Sequence, residues 1–210
     1  MKNILIVDDH TLFRQGLMKI IDSHFNDIIY GEASSAAEAI ELNAKQKWDI
    51  LLLDINLPGR SGLDIIKELK ESTPGLAILV LSMYPEDQFA VRVMKTGAAG
   101  YLIKDSTPEH LVEAINRLLD GRQFITPSVA ELLVDKLRDG AKQTPYDLLT
   151  NREFQVFRLI AVGHSVTNIA NKLSLSVKTI STYRTHILEK LKLRNNADMI
   201  YFAIKNNLID

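Results

Sequence analysis

Five short apolar runs punctuate the first half of the chain, at about residues 4–7, 28–33, 50–53, 77–81 and 99–103. Between them lie longer stretches, near 11–24, 36–46, 62–71, 86–96 and 107–120, where apolar positions recur with the spacing of an amphipathic helix. Runs this short and this uniformly apolar, alternating with helices, predict strands buried on both faces, that is, a doubly wound five-stranded parallel sheet. After Gly121 the alternation stops. Thr126-Pro127-Ser128 predicts the start of one short helix, and residues 139–145 read as an exposed tether.

From Pro145 onward the pattern is helical throughout. Thr150-Asn151-Arg152-Glu153 spells a capping box, in which the Thr hydroxyl and the Glu carboxylate each satisfy a free amide at a helix start. That helix should run to about Val162 and stop at Gly163. Ser165 caps a second, whose Val166, Ile169, Ala170 and Leu173 share one face, and Ser176 caps a third running to about Leu191. Only Ser174-Leu175-Ser176 separates the second from the third, the arrangement of a helix-turn-helix. A fourth helix, about Ala197 to Lys205, completes a small all-α domain. The predicted layout is an α/β domain over 1–121, a linker over 122–146 and a four-helix domain over 147–210.

Charge divides at the same place. Residues 1–144 hold 16 Lys+Arg against 21 Asp+Glu, and residues 145–210 hold nine against five, so an acidic part precedes a basic one although the whole chain carries only −1. The basic excess permits nucleic acid as a partner without requiring it. There is no cysteine, hence no disulfide framework and no thiolate metal site. No apolar run approaches the roughly 18 residues that span a membrane, and the N-terminus lacks the apolar core of a signal peptide, so a cytoplasmic protein is expected.

Chemistry gathers where the apolar runs stop. Asp8 and Asp9 follow Ile4-Leu5-Ile6-Val7, Asp54 follows Leu51-Leu52-Leu53, and Lys104 follows Tyr101-Leu102-Ile103. In a parallel sheet the carboxyl ends of neighbouring strands converge on one crevice, so three carboxylates and one ammonium should meet there. Crowded carboxylates repel unless a cation neutralises them, and an all-oxygen site with open positions suits Mg²⁺. Such a group favours phosphoryl transfer to a carboxylate, with Asp54 as nucleophile, Asp8 and Asp9 holding the metal, and Lys104 pairing with a phosphoryl oxygen. His10 reads as a helix-start residue and Trp48 as core or packing surface before the third strand.

On the third helix of the second domain, Ile180, Tyr183, Ile187 and Leu191 can pack inward, leaving Lys178, Ser181, Thr182 and Thr185 on an opposite stripe. Hydroxyls and a cation at that spacing suit base edges and phosphates in a major groove. Arg184, His186, Lys190, Lys192 and Arg194 flank the stripe where they could grip the DNA backbone. The fourth helix carries Met199, Ile200, Tyr201, Phe202 and Ile204, more apolar surface than four short helices need, which points to a homodimer.

Residues 1 to about 120 resemble the flavodoxin-like receiver domain of bacterial two-component response regulators at Asp8-Asp9, Asp54, Pro58-Gly59, Gly62, Leu81-Ser82, Gly97-Ala98-Ala99-Gly100-Tyr101 and Lys104. The resemblance implies that Asp54 is the phospho-acceptor and that Asp9, Asp8, Asp54 and the backbone carbonyl of Asn56 hold Mg²⁺. It also implies that the Ser82 hydroxyl follows the phosphoryl group, that Tyr101 is a rotating aromatic switch and that Lys104 is the phosphate partner. Many receivers follow the lysine with a proline in a cis peptide; here Asp105 follows, and a cis bond before a non-proline residue costs about 2.5–4 kcal/mol.

Residues 148–209 resemble the LuxR-type helix-turn-helix of the NarL/FixJ family at Leu149-Thr150-Asn151-Arg152-Glu153, Gly163-His164-Ser165, Ile169-Ala170, Leu173-Ser174-Leu175-Ser176, Lys178-Thr179-Ile180 and Lys190-Leu191. Asn168 stands where the family often has Glu, and Tyr183 where it usually has His. Taken together the resemblances imply a phosphorylation-dependent transcriptional regulator. Its donor would be a sensor histidine kinase, its target double-stranded promoter DNA, and RNA polymerase a further partner. Its chemistry would be limited to autophosphorylation from small donors and slow autodephosphorylation.

Two other classes compete. A haloacid-dehalogenase-like phosphatase also places an Asp at a strand end, but wants an acid at position 56, where Asn56 stands. A phosphorylated adaptor would use the helical half to dock a protein.

Overall fold

The computed structural model describes residues 1–138, 144–206, 208 and 209, and the chain divides into two compact units, Met1–Asp139 and Gly140–Asp210. Of the predicted tether, residues 139–143 lie outside the described residues. The first unit runs β1 (Lys2–Val7), α1 (Thr11–Asp22), β2 (Ile28–Ala33), α2 (Ala36–Lys45), β3 (Ile50–Asp54) and α3 (Gly62–Ser72), then β4 (Ala77–Ser82), α4 (Glu86–Lys95), β5 (Gly100–Ile103), α5 (Pro108–Leu119) and α6 (Pro127–Arg138). Its strands are all parallel, in the order β2-β1-β3-β4-β5. This is the doubly wound sheet that the alternating pattern predicts.

Burial explains the pattern. Ile4–Val7, Ile50–Leu53 and Ile78–Val80 are no more than 1% exposed. Alternate residues of each run, such as Ile4, Ile6, Ile50, Leu52 and Leu79, pack with Leu17 and Ile21 of α1 and with Leu111 and Ile115 of α5. Their neighbours point to the opposite face, where α2, α3 and α4 lie. Each such side chain contributes about 1.5–3 kcal/mol on leaving water, so polar residues are confined to strand ends. Trp48 is core as expected, 2% exposed, its indole nitrogen donating to the Leu42 carbonyl at 3.1 Å.

One glycine is forced by the site itself. A Cβ on Gly62 would lie 2.1 Å from the Asp54 carbonyl oxygen, so α3 can start against the end of β3 only without a side chain there. The preceding Ser61 is buried, its hydroxyl donating to the Ile55 carbonyl and accepting from the Leu63 amide, both at 3.3 Å.

The first compact unit continues past residue 121. The expected short helix is a 12-residue one, α6, and it packs on α4. The Glu86 carboxylate accepts from Thr126 and from Ser128, Val129 is 1% exposed, and Phe124 bridges to Gly100 of β5. The loss of strand–helix alternation marks the end of the sheet but not of the unit, because Phe124 and Val129 still have apolar surface of the sheet layer to cover.

The second unit opens with a 3-10 turn, Pro145–Leu148, followed by α7 (Asn151–Ala161), α8 (Val166–Lys172), α9 (Val177–Leu191) and α10 (Asn196–Lys205). The predicted caps are made: Thr150, Ser165 and Ser176 accept from the amides of Glu153, Asn168 and Thr179. Phe154, Phe157, Ile169, Ile180, Ile187, Met199 and Ala203 form its core, none more than 1% exposed. Among the described residues no helix is long and apolar enough to cross a membrane.

Candidate functional sites

Strand register brings four predicted groups to one height. Val7 pairs with Leu53, Asp54 with Leu81 and Ser82 with Ile103, so Asp8, Asp54, Ser82 and Lys104 emerge together at the carboxyl edge of the sheet. The Lys104 ammonium sits between two carboxylates, 2.6 Å from Asp8 Oδ2 and 2.9 Å from Asp54 Oδ2. Both acids are about 1% exposed. Asp8 Oδ1 accepts from the His10 amide at 2.8 Å, and Asp54 Oδ1 from the Asn56 amide at 3.0 Å. Asp9 is the open member, with its carboxylate 2.9 Å from His10 Nδ1.

Burial pushes the Asp54 carboxyl above its ordinary range; Lys104 opposes this and the Asp8 charge adds to it. Burial pulls the Lys104 ammonium down, but the Asp54 and Asp8 carboxylates outweigh it and its pKa ends above the usual value. Ligand atoms of Asp8, Asp9, His10 and Asp54 all lie within 4.8 Å of one another. Atoms that close can converge on one cation, and the carboxylate oxygens are the hard donors that Mg²⁺ takes. His10 is the N-cap residue of α1, as expected, and its ring also borders the acids.

The two switch candidates meet at one backbone position. The Ser82 hydroxyl accepts from the Tyr84 amide at 3.0 Å, and the buried Tyr101 hydroxyl donates to the Tyr84 carbonyl at 2.5 Å. The Tyr84 ring stacks on Phe89 of α4 at 4.4 Å. Sequence reasoning missed Tyr84, Phe89 and also Phe13, whose ring centre lies 4.6 Å from the Lys104 ammonium. Nothing in their local pattern separates these aromatics from ordinary core. Among the described residues no peptide bond is cis, so Lys104-Asp105 is trans.

In the second unit, Lys178, Ser181, Thr182 and Thr185 are exposed on α9, while Ile180, Ile187 and Leu191 are buried and Tyr183 is partly so. The hydroxyls of Ser181, Thr182 and Thr185 donate to carbonyls four residues back at 2.9–3.1 Å, which leaves their lone pairs facing outward. Arg184 Nε lies 2.7 Å from Asn196 Oδ1. Two of the expected backbone grips stay exposed but also face the buried Glu153 carboxylate: Lys190 Nζ is 2.6 Å and His186 Nδ1 3.6 Å from it.

Comparison with known proteins matches both halves. Residues 4–116 match the response regulator receiver domain, and residues 147–203 match the luxR family of bacterial regulatory proteins. The chain is 34% identical to the response regulator GacA of Pseudomonas aeruginosa over 100% of this chain and 99% of that one. It is 31% identical to the response regulator UvrY of Escherichia coli K12, over 99% and 96%. The chain belongs to the NarL/FixJ family of response regulators.

Solved structures of another response regulator are similar along nearly the same length. RcsB of Salmonella enterica serovar Typhimurium, bound to the promoter rprA in the presence of the phosphomimetic BeF₃⁻, shares a TM-score of 0.63 and 29% identity over 96% of this chain and 97% of that one. An RcsB–DNA complex gives 0.57 and 28%, over 96% of each chain. As a response regulator the chain combines a phosphorylation-controlled receiver with a LuxR-type DNA-binding domain in transcriptional regulation, and the phosphatase and adaptor readings are set aside. The α6 helix falls between the two matched segments, in neither.

Proposed function

We propose that Asp54 accepts a phosphoryl group from a phosphohistidine of a sensor histidine kinase and that the modified protein regulates transcription by binding promoter DNA through α9. The observation that carries this reading is the Lys104 ammonium held between Asp8 and Asp54 at the level edge of the sheet. An Asp54 carboxylate oxygen attacks phosphorus; the phosphorus–nitrogen bond breaks, its electron pair stays on the donor imidazole nitrogen, and that ring takes up a proton from water. Lys104, already 2.9 Å from Asp54, needs little movement to pair with a phosphoryl oxygen. Asp8, Asp9, Asp54 and the Asn56 carbonyl would hold Mg²⁺, which when bound offsets charge on the transferred group. Water at the same site supports slow self-removal of the phosphoryl group, and small donors such as acetyl phosphate support self-labelling.

Ser82 and Tyr101 are positioned to report the event, since one holds the amide and the other the carbonyl of Tyr84, in the segment that leads into α4. On α9, Lys178, Ser181, Thr182 and Thr185 would meet the major groove, with Arg184 beside them. His186 and Lys190 serve mainly to brace the helix. Tyr201 and Ile204 of α10, 69% and 52% exposed, support a homodimer. RNA polymerase would be a further partner, and the cytoplasm the place of action.

The test is acetyl phosphate with Mg²⁺. Wild type should gain one phosphoryl group and Asp54→Asn none; equal labelling of the two would sink the assignment of the acceptor.

A further inference from the structure

We propose that Arg14 is a positioning residue for the divalent-cation part of the phosphoacceptor site, acting through the backbone of Asp8. The inference rests on the reading of Asp8, Asp9 and Asp54 as that site. The paired registers of β1 end at Val7, opposite Ala33 on one side and Leu53 on the other. Asp8 lies just past them. Its amide still reaches the Ala33 carbonyl at 3.1 Å, and its carboxylate is held by the His10 amide and by Lys104. Its carbonyl, beyond the last paired residue, is taken by a side chain: Arg14 donates to it from a terminal nitrogen at 2.6 Å.

The same guanidinium donates from Nε to Glu32 Oε2 on β2 at 2.8 Å, and the Arg14 side chain is 11% exposed. One planar fork thus joins α1, the end of β1 and β2. A lysine, with a single point of charge, cannot span the two acceptors in this way. Fixing the Asp8 carbonyl fixes the peptide plane between Asp8 and Asp9. Asp9 is the most exposed of the three carboxylates, and its direction into the crevice depends on that plane. Arg14 hydrogen-bonds to Asp8, Glu32 and Thr11 and not to Asp54 or Lys104, so its effect falls on cation affinity and not on the attacking group.

The experiment uses the full chain and Mn²⁺, an ion that takes the same carboxylate, carbonyl and water ligands, with free Mn²⁺ counted by electron paramagnetic resonance. Arg14→Gln should weaken Mn²⁺ binding about tenfold, in the range found when a residue that orients a metal ligand is lost. Arg14→Lys should fall between it and wild type, and Glu32→Gln should weaken binding less than Arg14→Gln. The Mg²⁺ concentration giving half-maximal labelling by acetyl phosphate should rise by the same factor, with the rate at saturating Mg²⁺ changed by less than about twofold. Circular dichroism checks folding; if Arg14→Gln does not fold, the Arg14→Lys and Glu32→Gln titrations decide. Unchanged Mn²⁺ affinity in the folded Arg14 variants, beside its loss in Asp9→Ala, would overturn the role of Arg14. Unchanged affinity in Asp9→Ala as well would overturn the reading of the site itself.

Discussion

Lys190, near the end of α9, places its ammonium 2.6 Å from an oxygen of Glu153 in the first turn of α7. The same oxygen accepts from the Thr150 amide at 2.8 Å. One buried carboxylate therefore closes a capping box and anchors the helix whose outer stripe is proposed to read DNA. Burial pushes the Glu153 carboxyl up, but hydrogen bonds and charge from Lys190, with the Thr150 donors, outweigh it and hold its pKa below the ordinary 4.5.

A group whose folded pKa is lowered stabilises fully above its unfolded pKa and loses that contribution as pH falls through the folded one. Glu153→Gln should therefore melt below wild type near neutral pH, and the gap should narrow as pH drops below about 4.5. Paired thermal melts across acid pH check this. A gap that stays constant would mean that the carboxylate charge is not what holds α9 in place. Thr150→Ala, which removes the other half of the cap, should cost about 1 kcal/mol near neutral pH.

The single Lys104 ammonium pairs with two buried carboxylates. Removing one partner of a buried ion pair costs about 3–5 kcal/mol, so Lys104→Met should melt well below wild type without divalent ions. Added Mg²⁺ replaces the missing charge and should raise the melting temperature of the variant more than that of wild type. Equal shifts for the two proteins would argue that Mg²⁺ and the ammonium do not share these carboxylates.

Gly62→Ala puts a methyl group 2.1 Å from the Asp54 carbonyl oxygen, and backbone cannot yield cheaply. The expected cost is about 1–3 kcal/mol, the usual range for overpacking. It should come with slower labelling of Asp54, because the strand end that presents the acid must shift. Urea melts and acetyl phosphate labelling read the two effects separately. A variant as stable as wild type would show that α3 moves away freely.

The exposed stripe of α9 divides by chemistry. Lys178→Ala should weaken binding to all duplexes alike and flatten the salt dependence by about one unit for a lost phosphate contact. Thr182→Ala or Thr185→Ala should instead cost about 1–3 kcal/mol at a preferred site and little elsewhere. Binding isotherms at several salt concentrations, on preferred and random duplexes, distinguish them. The reverse pattern would show the helix rotated in the groove.

The fold of the first unit was legible because each strand is buried on both faces, so runs such as Leu51-Leu52-Leu53 stand out against amphipathic helices. The acids and Lys104 were legible because a charge ending an apolar run has one place to go in a parallel sheet. The helical half was legible through its caps, where Thr150, Ser165 and Ser176 announce helix starts by their own hydrogen bonds. What stayed hidden was what only packing decides. Phe13 under Lys104, the Tyr84 backbone shared by Ser82 and Tyr101, and Arg14 behind Asp8 depend on contacts between elements. The pairing of Lys190 with Glu153 has no local signal either, because exposed cations along α9 look alike in sequence until a buried acid is found beside one of them. The first unit runs on past residue 121 because Phe124 and Val129 extend it with no further strand to announce them.

The Phe124 contact decides more than a boundary. β5 is the last strand of the sheet, and the Phe124 amide donates to the Ala99 carbonyl at 2.9 Å while Phe124 bridges to Gly100, where a Cβ would come within 2.9 Å of its carbonyl oxygen. An outermost strand with open amides and carbonyls is a template onto which another chain can add, and natural sheets cover such strands. Here the cover is the stretch leading into α6. A receiver cut after residue 121 would keep its acids, its lysine and its five strands, yet lose the cap on β5 and turn that flank into a site for self-association. A cut after Arg138 would keep the β5 flank covered.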